Sequence, residues 1–112
     1  MHARMIQLTT KPGHVKDCIK AMVEQGLPLL KLQPGFVDAV ALTSDTERDQ
    51  FVGVTIWKSK EDAERYVNGQ ARQVLDSIRL ILQHEPIFRT FNLEASTIHN
   101  IGIGRAASSR QS

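Results

Sequence analysis

Phe51-Val-Gly-Val-Thr-Ile-Trp57, followed at once by Lys58-Ser-Lys-Glu-Asp-Ala-Glu-Arg-Tyr66, is the stretch that decides the fold. It reads as a strand running directly into a helix. Side chains alternate along a strand, so Val52, Val54 and Ile56 point one way. Phe51 and Trp57 point the other way, with Gly53 and Thr55 between them. A strand that is apolar on both faces has to be covered on both. In a chain of 112 residues one cover can come from its own helices. The other is expected from a second copy of the chain. Which parity meets which layer is left open by the sequence.

The flanking segments extend this pattern. Arg4 to Thr10 reads as a first strand, with Met5 and Gln7 on one face and Ile6 and Leu8 on the other. Lys11-Pro12-Gly13 punctuates it. Val15 to about Leu32 reads as a helix, because Val15, Cys18, Ile19, Met22 and Val23 recur at the spacing of one helical face. Gly26 and Pro28 interrupt that pattern and predict a kink, since proline donates no amide hydrogen and crowds the preceding turn. Leu29, Leu30 and Leu32 are expected to resume the apolar surface. Phe36 to Thr43 reads as a second strand, joined to Phe51–Trp57 through the polar loop 44–49 as a hairpin.

Ser59 is placed to cap the helix that follows by accepting from the amide of Asp62, and the acidic Glu61 and Asp62 suit the helix start. Asn68-Gly69 predicts a break. A second helical segment then carries Ala71, Val74, Leu75, Ile78, Ile81 and Leu82, ending near His84. Ile87 to Leu93 reads as the last strand. The resulting order is β-α-β-β-α-β, which predicts an α+β, ferredoxin-like four-stranded antiparallel sheet with both helical layers on one face. Residues 1–95 form that domain. Residues 96–112 are small and aperiodic, and read as a tail or as an arm anchored by Ile98, Ile101 and Ile103. Four strands with an open apolar face exceed what a monomer normally exposes, which predicts a homodimer packed through the sheets.

Composition narrows the class of function. The charge balance is 14 Lys+Arg against 12 Asp+Glu, with no basic cluster, so no nucleic-acid partner is expected. No apolar run approaches the roughly 20 residues of a membrane span. The single cysteine, Cys18, rules out an intrachain disulfide and suits a reducing cytoplasm. His2, His14, His84 and His99 are scattered and give no metal-ligand spacing.

Three features together carry a family resemblance: Pro34-Gly35-Phe36 opening the second strand, the Trp57-Lys-Ser-Lys-Glu-Asp-Ala exit from the third strand, and the order of elements over about residues 4–95. In these the chain resembles the antibiotic biosynthesis monooxygenase-like domains of the dimeric α+β barrel superfamily. The resemblance implies a pocket between helices and sheet. It also implies one of several uses. Some members are cofactor-free oxygenases of quinols, phenols or aromatic polyketides; others bind and degrade haem; many have no assigned activity. The haem-degrading branch uses an Asn on strand 1, a Trp in the second helical layer and a His further along it, and these match Gln7, Tyr66 and Leu75 by spacing. Leu75 cannot ligate iron, and His84 lies nine residues beyond it, at the wrong helical phase.

On this basis Tyr66 and Gln7 are the candidate catalytic residues. Tyr66 could donate from its phenol to a substrate hydroxyl or an anionic intermediate. Trp57, Asn92 and Leu75 are the candidate substrate-binding residues. Each also has a purely structural reading: Tyr66 and Trp57 as core aromatics, Gln7 and Asn92 as hydrogen-bonded strand residues. The function expected is a cofactor-independent monooxygenase acting on a small aromatic or quinol-type molecule, with no metal and no cofactor. The alternatives are a non-enzymatic small-ligand-binding or structural homodimer and, less favoured, a haem protein. A ring-sized cavity lined by Tyr66 and Trp57 supports the first reading, and an interface packed solid excludes it.

Overall fold

The computed structural model describes residues 1–98. The strands are β1 (His2–Thr9), β2 (Phe36–Thr43), β3 (Gln50–Trp57) and β4 (Ile87–Asn92). The helices are α1 (Val15–Ala21), α2 (Leu27–Lys31), α3 (Lys60–Val67) and α4 (Ala71–Ile78). The sheet order is β2-β3-β1-β4, with every neighbouring pair antiparallel. This is the α+β, ferredoxin-like fold that the strand and helix order predicts. The tail expectation concerns residues that lie, but for the first few, outside the described part.

Register settles the question of parity. Leu8 pairs with Phe51, Ile6 with Gly53, Arg4 with Thr55 and His2 with Trp57, so these eight residues share one face. That face meets the helices. Leu8 and Phe51 pack with Cys18 of α1 and Ile78 of α4, and Trp57 packs with Leu30 of α2 and Ala63 of α3. The bulk of Phe51 and Trp57 decides the outcome, because two fully buried aromatics contribute far more apolar area than Val52, Val54 and Ile56. The opposite face carries those three residues with Val40, Leu42, Ile87 and Phe91, and the last four are exposed in the single chain.

Three details differ from the sequence expectation. The first helix is continuous but passes through a π-helical turn at Met22–Gly26, where the Leu27 amide donates to Met22 O. The widened turn sits just before Pro28, which has no amide to give to the carbonyl four residues back. It closes at α2, which buries only Leu30, while Leu32 lies beyond the helix and is exposed.

Second, α4 stops at Ile78 rather than near His84, and a 3₁₀ turn (Arg79–Ile81) follows. Lys11 N donates to Ile81 O at 2.7 Å and Gln83 N to Thr9 O at 2.8 Å, so the end of β1 competes successfully for this backbone. Third, β1 begins at His2, because Trp57 and Asn92 pair with it on either side.

The exit from β3 follows its prediction closely. Ser59 is extended and its hydroxyl accepts from the Asp62 amide, capping α3. Asn68-Gly69 separates α3 from α4. No helix among the described residues is long and apolar enough to cross a membrane.

Candidate active site

The helical layer does not close fully onto the sheet. A cavity of about 110 Å³ remains between them. Two rows of paired residues form its floor. Ala41, Gly53, Ile6 and Phe88 make one row across β2, β3, β1 and β4, and Ala39, Thr55 and Arg4 make the next. The floor is deep on the β2–β3 side because Ala39, Ala41 and Gly53 put almost nothing above the backbone. A Cβ at Gly53 would stand 3.1 Å from Ile6 Cγ2 and 3.3 Å from Phe51 Cε1. The glycine therefore sits in a notch between two bulky neighbours. The roof comes from the π-turn through Met22, Val23 and Gly26, and from α3 and α4 through Tyr66, Ala71 and Leu75.

The walls are almost wholly apolar, and the side-chain polar groups on them are few. Tyr66 presents its phenol, whose pKa is raised by burial, so it stays a neutral donor at physiological pH. Thr55 presents a hydroxyl whose oxygen already accepts from Trp57 Nε1 at 2.9 Å. Arg4 presents a half-buried guanidinium at the β1–β4 end, with its Cζ 5.7 Å from the centroid of the Phe88 ring. Neither a carboxylate nor a histidine lines the cavity among the described residues.

The predicted site residues divide. Tyr66 and Leu75 line the cavity. Trp57 does not: it is fully buried behind the wall, 5.5 Å from the Tyr66 ring centroid and 5.6 Å edge-on from that of Phe36. Its role is to set the position of Tyr66 and Thr55. Gln7 pairs with Val52 and Ile87 and so points to the open face, opposite the cavity. Asn92 pairs with His2 at the sheet's end, in a separate polar cleft with Lys58, Ser59 and Lys60. Alternation along β1 dictates the placement of Gln7, which cannot share a face with Ile6 and Leu8; Asn92 has the parity of the cavity face but lies beyond the cavity's end.

Thr55, Gly53, Phe88 and Arg4 are the site residues that sequence reading missed. Arg4 carried a signal: it shares parity with Ile6 and Leu8, and a charge on the inward face of a strand calls for an explanation.

The remaining titratable groups fit structural roles. Cys18 is fully buried in the core and burial pushes its thiol up to about 11, so it stays protonated and inert. No group of three His, Cys, Asp or Glu side chains among the described residues could hold a metal ion. Haem does not fit. The cavity falls well below the several hundred Å³ of a cofactor-sized pocket, its wall carries no histidine among the described residues, and His84 lies beyond α4 and off the cavity.

No curated protein matches the chain. Solved structures do. A protein of unknown function from Nitrosomonas europaea superposes with a TM-score of 0.74 at 21% identity, over 86% of this chain and 91% of that one. SnoaB, a cofactor-independent oxygenase from Streptomyces nogalater, superposes with a TM-score of 0.69 at 13% identity, over 86% and 96%. A conserved protein from Methanosarcina mazei Go1 gives 0.72 at 11% identity, over 82% and 92%. At these identities the likeness establishes the fold alone. The sequence itself matches the model of the antibiotic biosynthesis monooxygenase family over residues 1–75, which include β1 to β3, α3 and the part of α4 that roofs the cavity. The chain thus belongs to the antibiotic biosynthesis monooxygenase family.

Proposed function

We propose that this protein is a cofactor-independent monooxygenase that takes an electron-rich, single-ring phenol or hydroquinone into the cavity between helices and sheet. The observation that carries this reading is the cavity: an apolar space of about 110 Å³ with the Tyr66 phenol on its wall. That volume is comparable to apolar cavities known to take one aromatic ring. The family, and the likeness of fold to a cofactor-independent oxygenase, point the same way.

In the proposed reaction the substrate supplies the electrons and dioxygen is the co-reactant. A bound phenolate passes one electron to dioxygen, and the phenoxyl radical and superoxide combine through a new C–O bond on the ring. Loss of the proton from that carbon, uptake of one proton from solvent and cleavage of the O–O bond release water and leave a quinone. One atom of dioxygen ends on the ring and the other in water, so a four-electron oxidation of the phenol balances a four-electron reduction of dioxygen. The protein's contribution is positional and electrostatic. Apolar walls exclude water, Leu75 and Ile6 hold the ring, and the Tyr66 O–H donates to the developing oxyanion. Trp57 fixes the tilt of Tyr66 from behind.

The cavity needs no second chain to line it, but the open sheet face does need cover, and a homodimer through that face completes the proposal. A single cysteine is compatible with a cytoplasmic location. The test combines an oxygen electrode with titration of hydroquinones and phenols against the fluorescence of Trp57, the only tryptophan. Saturable quenching with oxygen uptake and quinone formation above the protein-free rate is the expected result. Binding without oxygen uptake would leave a ligand-binding homodimer instead, a reading favoured by the lack of a carboxylate or histidine base on the cavity wall. No binding of any single-ring compound would overturn the proposal.

A further inference from the structure

Arg4 is the one charged side chain on the cavity wall among the described residues, and nothing already described uses it. It stands on the inward face of β1, paired across the sheet with Thr55 on one side and Thr90 on the other, and flanked two residues on by Ile6. No hydrogen bond or ion pair reaches its guanidinium among the described residues. The carboxylate of Glu64 on α3 acts on it electrostatically, and that carboxylate is itself 3.9 Å from Lys60. Burial lowers the Arg4 pKa, and the opposing charge of Glu64 offsets this only in part. Its Cζ lies over the face of Phe88, a contact that engages the guanidinium without using its N–H groups.

The other polar groups of the wall have the same character. The Thr55 oxygen is occupied by the indole of Trp57, so its hydroxyl offers the cavity a hydrogen. Tyr66 is a neutral phenol, also a donor. Three side-chain donors around an apolar space, one of them a half-buried cation whose N–H groups are not engaged by the protein among the described residues, form the complement of an oxyanion attached to a ring.

We infer that the cavity selects a monocyclic aromatic anion, a ring bearing an ionised phenol or carboxylate, and that Arg4 with Phe88 is the clamp for its charged oxygen. This rests on the reading that the cavity holds a single ring. It adds that the ring enters already ionised and that Arg4 holds its charge. An ionised ligand would also remove the need for a general base on the wall, since its proton is given up to solvent before entry.

The experiment compares two probes of similar size, 4-nitrophenol as its anion and neutral 4-nitroanisole, by quenching of Trp57 and by the visible band of nitrophenolate. The wild-type protein is expected to bind the anion about 10-fold more tightly than the ether, as a charge-assisted hydrogen bond in a desolvated site implies. It should also lower the apparent pKa of the bound nitrophenol. Arg4→Gln is expected to abolish both effects while still binding 4-nitroanisole, and Arg4→Lys to retain part of the preference. Equal affinity of the wild type for the two probes, or an unchanged preference in Arg4→Gln, overturns the clamp and leaves the cavity reading standing. Failure of the wild type to bind either probe overturns both.

Discussion

Trp57 Nε1 donates to Thr55 Oγ1 at 2.9 Å, from the last residue of β3 to the residue two before it on the same face. This bond joins the buried core to the cavity. It satisfies an indole N–H in a fully buried residue, and it fixes the direction in which the Thr55 hydroxyl can donate. Trp57→Phe removes the donor and part of the ring volume, and is expected to cost about 1–3 kcal/mol by urea denaturation, against about 3–5 kcal/mol for Trp57→Ala. In a Thr55→Val background the cost of Trp57→Phe should shrink, because the N–H then has no acceptor to lose. Additive single and double variants would show that the bond contributes nothing.

A second relationship ties the β2 start to the α3 start. Gly35 has φ +81°, and a Cβ there would fall on the side chain of Asp62. Asp62 is itself held by Ser59, whose hydroxyl donates to Asp62 Oδ2 at 2.9 Å, and Gly35 O accepts from Lys58 N at 2.8 Å. Gly35→Ala therefore combines a left-handed backbone penalty with a collision against a fixed carboxylate. It is expected to destabilise by about 2–4 kcal/mol. Asp62→Ala should recover part of that loss in the double variant although it weakens the cap on its own. Thermal or urea unfolding of the four proteins checks this, and a fully additive pair would contradict the contact.

Much of this was legible in the chain itself. The apolar periodicity of Phe51–Trp57, the Ser59 cap and the Asn68-Gly69 break place β3 and the start of the second helical layer within a residue. Parity was legible in principle, since two buried aromatics outweigh three β-branched residues. The cavity was not. It exists because Ala39, Ala41 and Gly53 become neighbours only through the β2–β3 register, and a bulge near the start of β2, between Phe36 and Asp38, shifts that register by one residue. Gln7 was a candidate by spacing to a family motif, which carries no information about which face it occupies. The early end of α4 was hidden for a similar reason: the competing hydrogen bonds come from β1, about 70 residues away in the chain.

His2 gives a pH dependence with a definite sign. Its side chain is buried below the α3 start and Nε2 has no hydrogen-bond partner among the described residues. Burial is the largest cause lowering its pKa; the charges of Arg4, Lys60 and the Met1 amino group lower it further, and Glu64 opposes them. The folded value thus lies below the ordinary 6.5 of the unfolded chain. Above 6.5 both states hold a neutral imidazole and stability is unaffected. As pH falls below 6.5 the unfolded state takes up the proton first, so stability declines and levels off once the folded His2 also protonates. Urea midpoints from pH 7.5 down to 5.5 should show the decline, and His2→Phe should flatten it. A midpoint that rises as pH falls would contradict the assignment.

The open sheet face sets the last expectation. It runs from Leu42 on β2, 47% exposed, through Val52, Val54 and Met5 to Phe91 on β4, 50% exposed. These residues occupy both edges and the centre of one face, so the patch is continuous rather than scattered, and continuity is what distinguishes an interface from ordinary surface apolarity. A second copy laid on it would bury a face of four strands, enough for the roughly 1,200–2,000 Å² of a stable interface. Sedimentation at tens of micromolar should give twice the 12.5 kDa chain mass. Leu42→Asp or Phe91→Asp should give the chain mass while keeping the far-ultraviolet spectrum, because an unpaired carboxylate buried in that contact costs several kcal/mol. Leu80→Asp is the control: Leu80 is 87% exposed in the 3₁₀ turn after α4, away from the sheet face, and its charge should leave the mass unchanged. A wild-type protein that sediments at 12.5 kDa would leave the open face without its expected cover.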